Sequence, residues 1–290
     1  HHTIGRRQRQ MCIRDSYDFG GGITIGPDYS MVGSPLINSF TTAGNVSFLG
    51  NVTVDGTLTV NTSGGNISIA GNITSTGTDE VVSLSDGTGT GTITLGGTVT
   101  SGDITLIGDS GISIAGDITS NKDGAAGAIA FTGTVTLTGD VIVTADDHAD
   151  STITFNSTVN ASTSGGQSLT LDTDAGAIAM EAAIGVVALN TLTVNADGAG
   201  NIEIAGYGSV SNPGVIGTTA IGNANTGTLT LDGRVYHTTG SQTYTAATGQ
   251  NIDITNTNGI TLTTTNTAVA LNTSGAVSYT HLRAHETRFY

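Results

Sequence analysis

The chain has 290 residues, a net charge of −15, 43 Gly, 3 Pro, no Trp, only 11% charged and 4% aromatic residues. A coiled coil or helical array would be rich in Glu, Lys, Arg, Ala and Leu, and collagen would need a strict Gly triplet with abundant Pro, so both are excluded. Strong acidity with few cations argues against nucleic acid, whose phosphates need Lys and Arg.

The two ends carry a DNA-level signal. Met11-Cys12-Ile13-Arg14-Asp15-Ser16 reads back as ATG TGT ATA AGA GAC AG. The reverse complement of that word encodes Ala276-Val277-Ser278-Tyr279-Thr280-His281. The two ends thus spell opposite strands of one word, which resembles the transposon mosaic end used in sequencing-library preparation. Residues 1–16 and 277–290 are therefore expected to be translated adapter and are set aside from fold reasoning. They hold six of the eight Lys and Arg and two of the 23 acids, so the centre keeps Lys122 and Arg234 against 21 acids, a charge of −19. The sole cysteine, Cys12, also lies in an end.

Residues 17–44 contain Pro27 and Pro35 and read as an irregular lead-in or an early coil. From 45 to 276 the chain repeats itself. One element recurs: apolar, any, apolar, any, small, any, apolar. Its first residue is Val46, Ile67, Ile93, Ile112, Ile129, Ile153, Ile178, Ile202, Leu229 and Ile252. From Ile129 to Ile153, Ile178 and Ile202 the steps are 24, 25 and 24 residues. Apolar residues at alternate positions define a short strand with one buried face. The small residue lets the backbone turn, and a second strand follows. A third stretch often completes the unit, as at Leu58-Val60, Ile104-Leu106 and Leu169-Leu171. Polar turns rich in Gly, Asn, Asp and Ser close it. Three short strands in about two dozen residues predict one coil of a parallel β-solenoid. About ten coils would make a rod of about 45–50 Å, with Ile stacked on Ile. Several small antiparallel sandwiches are the alternative, but the period is too short for them.

Candidate sites are sparse. Asp146, Asp147 and Asp150, beside His148, form the densest polar run and are the candidate metal ligands, though their spacing does not match a calcium loop and favours a solvated turn. Asp172 and Asp174 sit at alternate positions and would share a face. Tyr207, Arg234, Tyr236, His237 and Tyr244 cluster late, near an insertion-like stretch at 206–227. They are the candidate binding patch, with ordinary half-exposed tyrosines as the simpler reading. Thr-x-Thr pairs such as Thr92/Thr94, Thr98/Thr100 and Thr134/Thr136 suggest a crystal-surface binder. They fall at different positions in the unit, so a regular array is not expected. No Ser-His-Asp motif, P-loop or dinucleotide fingerprint stands out.

Segments such as Gly65-Asn66-Ile67-Ser68-Ile69-Ala70-Gly71-Asn72-Ile73 resemble the strand repeats of filamentous-haemagglutinin-like and autotransporter-type bacterial surface proteins. That resemblance implies a right-handed parallel β-helix stalk, exported and displayed on a bacterial cell surface. Its partners would be host-surface glycans or proteins, or other copies through the coil edges. The chain is accordingly expected to be an all-β, non-catalytic stalk or adhesin segment with no cofactor, no nucleic-acid partner and no membrane span of its own. A carbohydrate-active β-helix, a polysaccharide hydrolase or lyase, or another surface-binding solenoid is the alternative.

Overall fold

The computed structural model describes residues 2–3, 17–19, 23–26, 29–30, 36–87, 89–145, 148–265 and 267–279. Every named element is a strand, and the strands pair in parallel into sheets of eight, eleven and twelve strands, with a two-stranded sheet late in the chain. The fold is the β-solenoid that the repeats predict, and parallel pairing excludes antiparallel sandwiches.

One coil shows the plan. Ile67–Ile69 lies in the eight-stranded sheet, Ile73–Ser75 in the eleven-stranded sheet and Val81–Ser85 in the twelve-stranded sheet. The chain then returns at Ile93–Leu95, paired to Ile67–Ile69. Residues alternate inward and outward along each strand, so the apolar ones at alternate positions enter the core. Ile67, Ile93 and Ile112 stack in register and are at most 1% exposed. β-Branched side chains suit such a column because they lose little rotamer freedom on a pleated surface. Where the column is aromatic, the rings stack too: Phe131 and Phe155 lie 4.3 Å apart at 9°.

The ten sequence copies do not form one column. Val46, Ile67, Ile93 and Ile112 stack in the eight-stranded sheet, and the next residue there is Val135. Ile129 instead stacks on Ile104, and from it Ile153, Ile178, Ile202, Leu229 and Ile252 continue the twelve-stranded sheet. The same strand pattern serves all three faces, so the pattern alone carries no face label. The short step of 17 residues from Ile112 to Ile129 marks the change of face.

Coils are also clipped together at their corners. The Asn66 side-chain carbonyl accepts the Thr92 N–H at 3.0 Å and itself follows Asn45, which accepts the Asn66 N–H at 2.8 Å. Asn51, Asn72, Asp117, Asp140 and Asn201 accept backbone N–H groups of the next coil in the same way. Each side chain thus satisfies a donor that the turn leaves out of the ladder.

Strands at Tyr17–Phe19, Ile23–Ile25 and Leu36–Thr42 extend the same sheets upstream. His2–Thr3 and Val277–Tyr279, from the segments set aside as adapter, are the outermost strands of two sheets. The eight-stranded sheet stops at Val159–Ala161. Beyond it that face is irregular, carried by bridges from Ile184 to Tyr207 to Tyr236 and from Leu189 to Val215 to Thr238. The insertion at 206–227 falls there and leaves Val210 81% exposed. Among the described residues no helix is long and apolar enough to cross a membrane.

Candidate functional site

The tyrosines proposed as a surface patch are core residues. Tyr207, Tyr236 and Tyr244 are each 0% exposed. The Tyr207 ring meets Tyr236 edge-on at 5.2 Å, and Tyr236 meets Tyr244 at 6.2 Å. Their hydroxyls are used internally. Tyr207 and Tyr244 share a hydroxyl–hydroxyl hydrogen bond. Tyr244 donates to Gln242 Oε1 at 2.9 Å, and Tyr236 donates to the Ile204 carbonyl at 2.6 Å. Gln242 Nε2 donates to the carbonyls of Tyr236 and Thr263 at 2.9 and 2.7 Å. Burial pushes all three hydroxyls well above the ordinary tyrosine value. The rings fill the space that the irregular face opens, so they offer a ligand nothing. Arg234 is exposed and His237 half-buried, its Nδ1 2.9 Å from the Ser209 carbonyl.

Of the acidic run, Asp146 and Asp147 lie outside the described residues. Asp150 is exposed, and its N–H donates to His148 Nδ1 at 3.2 Å, as a tight turn would have it. Among the described residues no three His, Cys, Asp or Glu converge as a metal cluster. Asp172 meets Asp197 of the following coil as well as Asp174. Its carboxyl is pushed up by burial first, then by Asp197 and Asp174.

Two arrangements emerge only from the register. The Thr-x-Thr pairs do spread over several faces, yet over five coils members of three of them join columns of hydroxyls that end at Asp172 and Asn160. Thr53, Thr74, Thr100, Thr119 and Thr144 stack on the outer side of the eleven-stranded sheet. Ser47, Ser68, Thr94, Ser113 and Thr136 stack on the eight-stranded sheet. The Thr-x-Thr pairs thus form no single array, and the short columns use the one outward residue of each three-residue strand, which pair-wise Thr counting overlooks.

The second arrangement is acidic. On the twelve-stranded sheet Ala179, Glu203 and Thr230 stack in register. Glu203 sits in a shallow depression with Ala177, Asn201, Thr228 and Thr230. Its carboxyl is pushed up by burial first, then by Asp232 and Glu181. Asp232 Oδ1 is enclosed and has no partner. Glu181, Glu203 and Asp232 are 22 and 29 residues apart in the chain, so sequence reading passed over them. Only coil register brings them together.

No family model matches the chain, and neither the curated proteins nor the solved structures contain a match.

Proposed function

We propose that the chain is a structural stalk or adhesin segment of a large exported bacterial surface protein, working by length and repetition and not by catalysis. The observation that supports this reading is the in-register stacking itself. As far as Val159–Ala161 each coil repeats its neighbour on three faces, and two outward columns of five hydroxyls each run over residues 47–144. Repeated weak contacts add up by multivalency, so a ladder of modest hydrogen-bonding groups suits adhesion. The bacterial and exported assignment draws on the repeat resemblance. The reading covers the repeats at 45–276. Residues 1–16 and 277–290 are assigned to adapter by their base complementarity, which long-read sequencing across both junctions tests.

The experiment is a bead-adhesion assay with the whole chain against glycan and protein surfaces. Retention that rises steeply with bead coverage supports the reading. Retention no greater than on bare beads, on every surface, overturns the adhesive part.

A second reading, a carbohydrate-active β-helix, is favoured by Glu203 and Asp232. Two acids that adjoining coils bring to one face, with the Glu203 carboxyl raised by burial, are groups of the kind that acid–base cleavage of a glycosidic bond uses. Reducing-end release from a polysaccharide panel tests it. Release lost in Glu203→Gln and Asp232→Asn supports it, and silence across the panel rejects it.

A further inference from the structure

One side of the rod carries no acid. No described Asp or Glu lies on the strands of the eight-stranded sheet or on the irregular face that continues them. The outward residues of those strands are Ser47, Ser68, Thr94, Ser113, Thr136 and Asn160. The irregular continuation, at 182–191, 205–218 and 233–241, holds neither Asp nor Glu. At its rim stands Arg234, exposed and with no side-chain partner among the described residues. The acids stand on the other two sheets and at the corners, as Asp103, Glu203 and Asp253 do on the twelve-stranded sheet and Asp172 on the eleven-stranded one.

The same side carries the three most exposed large apolar side chains of the described residues: Val210 at 81%, Val186 at 79% and Leu49 at 58%. The two valines are held in place. The Val187 N–H donates to Asn160 Oδ1 at 3.2 Å and its carbonyl accepts the Ala161 N–H at 3.0 Å, which pins the bulge that turns Val186 outward. Around Val210 the Ser209 N–H donates to the Asn212 carbonyl at 2.8 Å, and the Asn212 N–H to Ser209 Oγ at 3.0 Å. His237 Nδ1 ties that loop to the next coil through the Ser209 carbonyl. The two valines belong to neighbouring coils, since Ile184 bridges Tyr207. Ordered apolar side chains rimmed by polar groups mark a contact surface.

Charge decides what can meet it. Two such acidic rods repel wherever their carboxylates face each other. On this side a like rod approaches with no acid opposed to acid. The size fits as well. From Val46 to Leu262 the side is ten rungs long. At the usual strand spacing and rise that is a strip about 43 Å long and about 16 Å wide. Two such strips bury about 1,400 Å², within the range of a specific interface.

We propose that two copies of this chain pair side by side through the acid-free face. The face meets itself, so the pair is two-fold and closes as a dimer. Pairing covers Leu49, Val186, Val210 and the serine-rich column, and leaves the threonine column of the eleven-stranded sheet free. The inference goes beyond the stalk reading and does not rest on it, because a rod that adheres to nothing can still pair.

The test is sedimentation equilibrium of the whole chain at micromolar concentration, in low and high salt. The native chain is compared with Val210→Asp and Thr94→Asp on the face, and with Ile142→Asp at an exposed position of the eleven-stranded sheet. Expected is a native dimer that tightens with salt, because screening weakens the repulsion of the remaining acids. Val210→Asp and Thr94→Asp should each weaken it by about tenfold or more, and Ile142→Asp by less than about twofold. A native chain that stays monomeric overturns the pairing, and if that monomer floats with phosphatidylcholine vesicles the face belongs to a lipid surface instead. Equal weakening in all three variants means general repulsion and overturns it. A dimer or longer assembly that none of the variants alters is held elsewhere, as by stacking of coil ends, and also overturns it. Should Val210→Asp fail to fold, Thr94→Asp decides, since it lies in a regular strand of a distant coil.

Discussion

The hydroxyl of Tyr207 is hydrogen-bonded to the hydroxyl of Tyr244, 37 residues later, in the middle of the core. Tyr244 passes its own proton on to Gln242 Oε1. Tyr244→Phe keeps the ring and removes both contacts, leaving a buried acceptor on Gln242. The expected cost is about 1–3 kcal/mol. Chemical denaturation checks it, with an unchanged m-value.

The same three tyrosines set an alkaline limit. Their folded values are raised above the ordinary 10.0 by burial. Above that value the unfolded chain releases protons that the folded chain retains. Their stabilising effect is therefore complete below pH 10 and is lost as pH rises beyond it. Tyrosinate absorption from these rings should appear together with unfolding, not before it.

The corner clips should show up as a modest, additive effect. Asn66→Ala frees the Thr92 N–H and hydroxyl, which sit 3.0 and 3.2 Å from the Asn66 carbonyl oxygen. The expected loss is about 0.5–1.5 kcal/mol, since water reaches the freed donor. Asn66→Asp keeps the acceptor and should lose less. Paired melts of the two variants test this.

Gly133 has φ of 110° and lies against the Gly108 carbonyl of the preceding coil. Gly133→Ala meets a disfavoured backbone and a backbone clash together. The strained dihedral alone costs about 1–3 kcal/mol. A loss larger than that of Gly26→Ala, where an added methyl meets nothing within 4 Å, is the expected result in parallel denaturation.

Glu203 should make the rod more stable in acid. Its folded carboxyl is raised above the ordinary 4.5, by burial first and then by Asp232 and Glu181. A raised folded value gives stability that is present below 4.5 and lost as pH rises through the folded value. Glu203→Gln should therefore melt higher than the native chain at neutral pH, with the difference closing below pH 4.5. A constant difference across that window would exclude this cause.

The strand pattern made the solenoid legible, because Ile67-Ser68-Ile69 and its copies can bury one face only by stacking. The period told how many coils to expect. Face identity was not legible, as the change between Ile112 and Ile129 shows, since all three faces demand the same alternation. The tyrosines misled for a related reason. Tyr236 and Tyr244 look half-exposed by composition, yet the irregular face leaves a wide interior that only large rings fill. Glu203 and Asp232 were hidden because their contact runs across coils. The corner asparagines had a visible signal, an Asn or Asp directly before the first apolar residue of a strand, as in Asn66-Ile67 and Asn72-Ile73.

Parallel register has a mechanical consequence. Ile153 pairs with Ile129 before it and Ile178 after it. Pulled from one end, such a rod has no ladder running its full length to shear. It should peel one coil at a time, each release paying out about 24 residues, or roughly 80 Å of slack. The force trace would be a saw-tooth of nearly even teeth, and a rod under load would lengthen in steps before it let go.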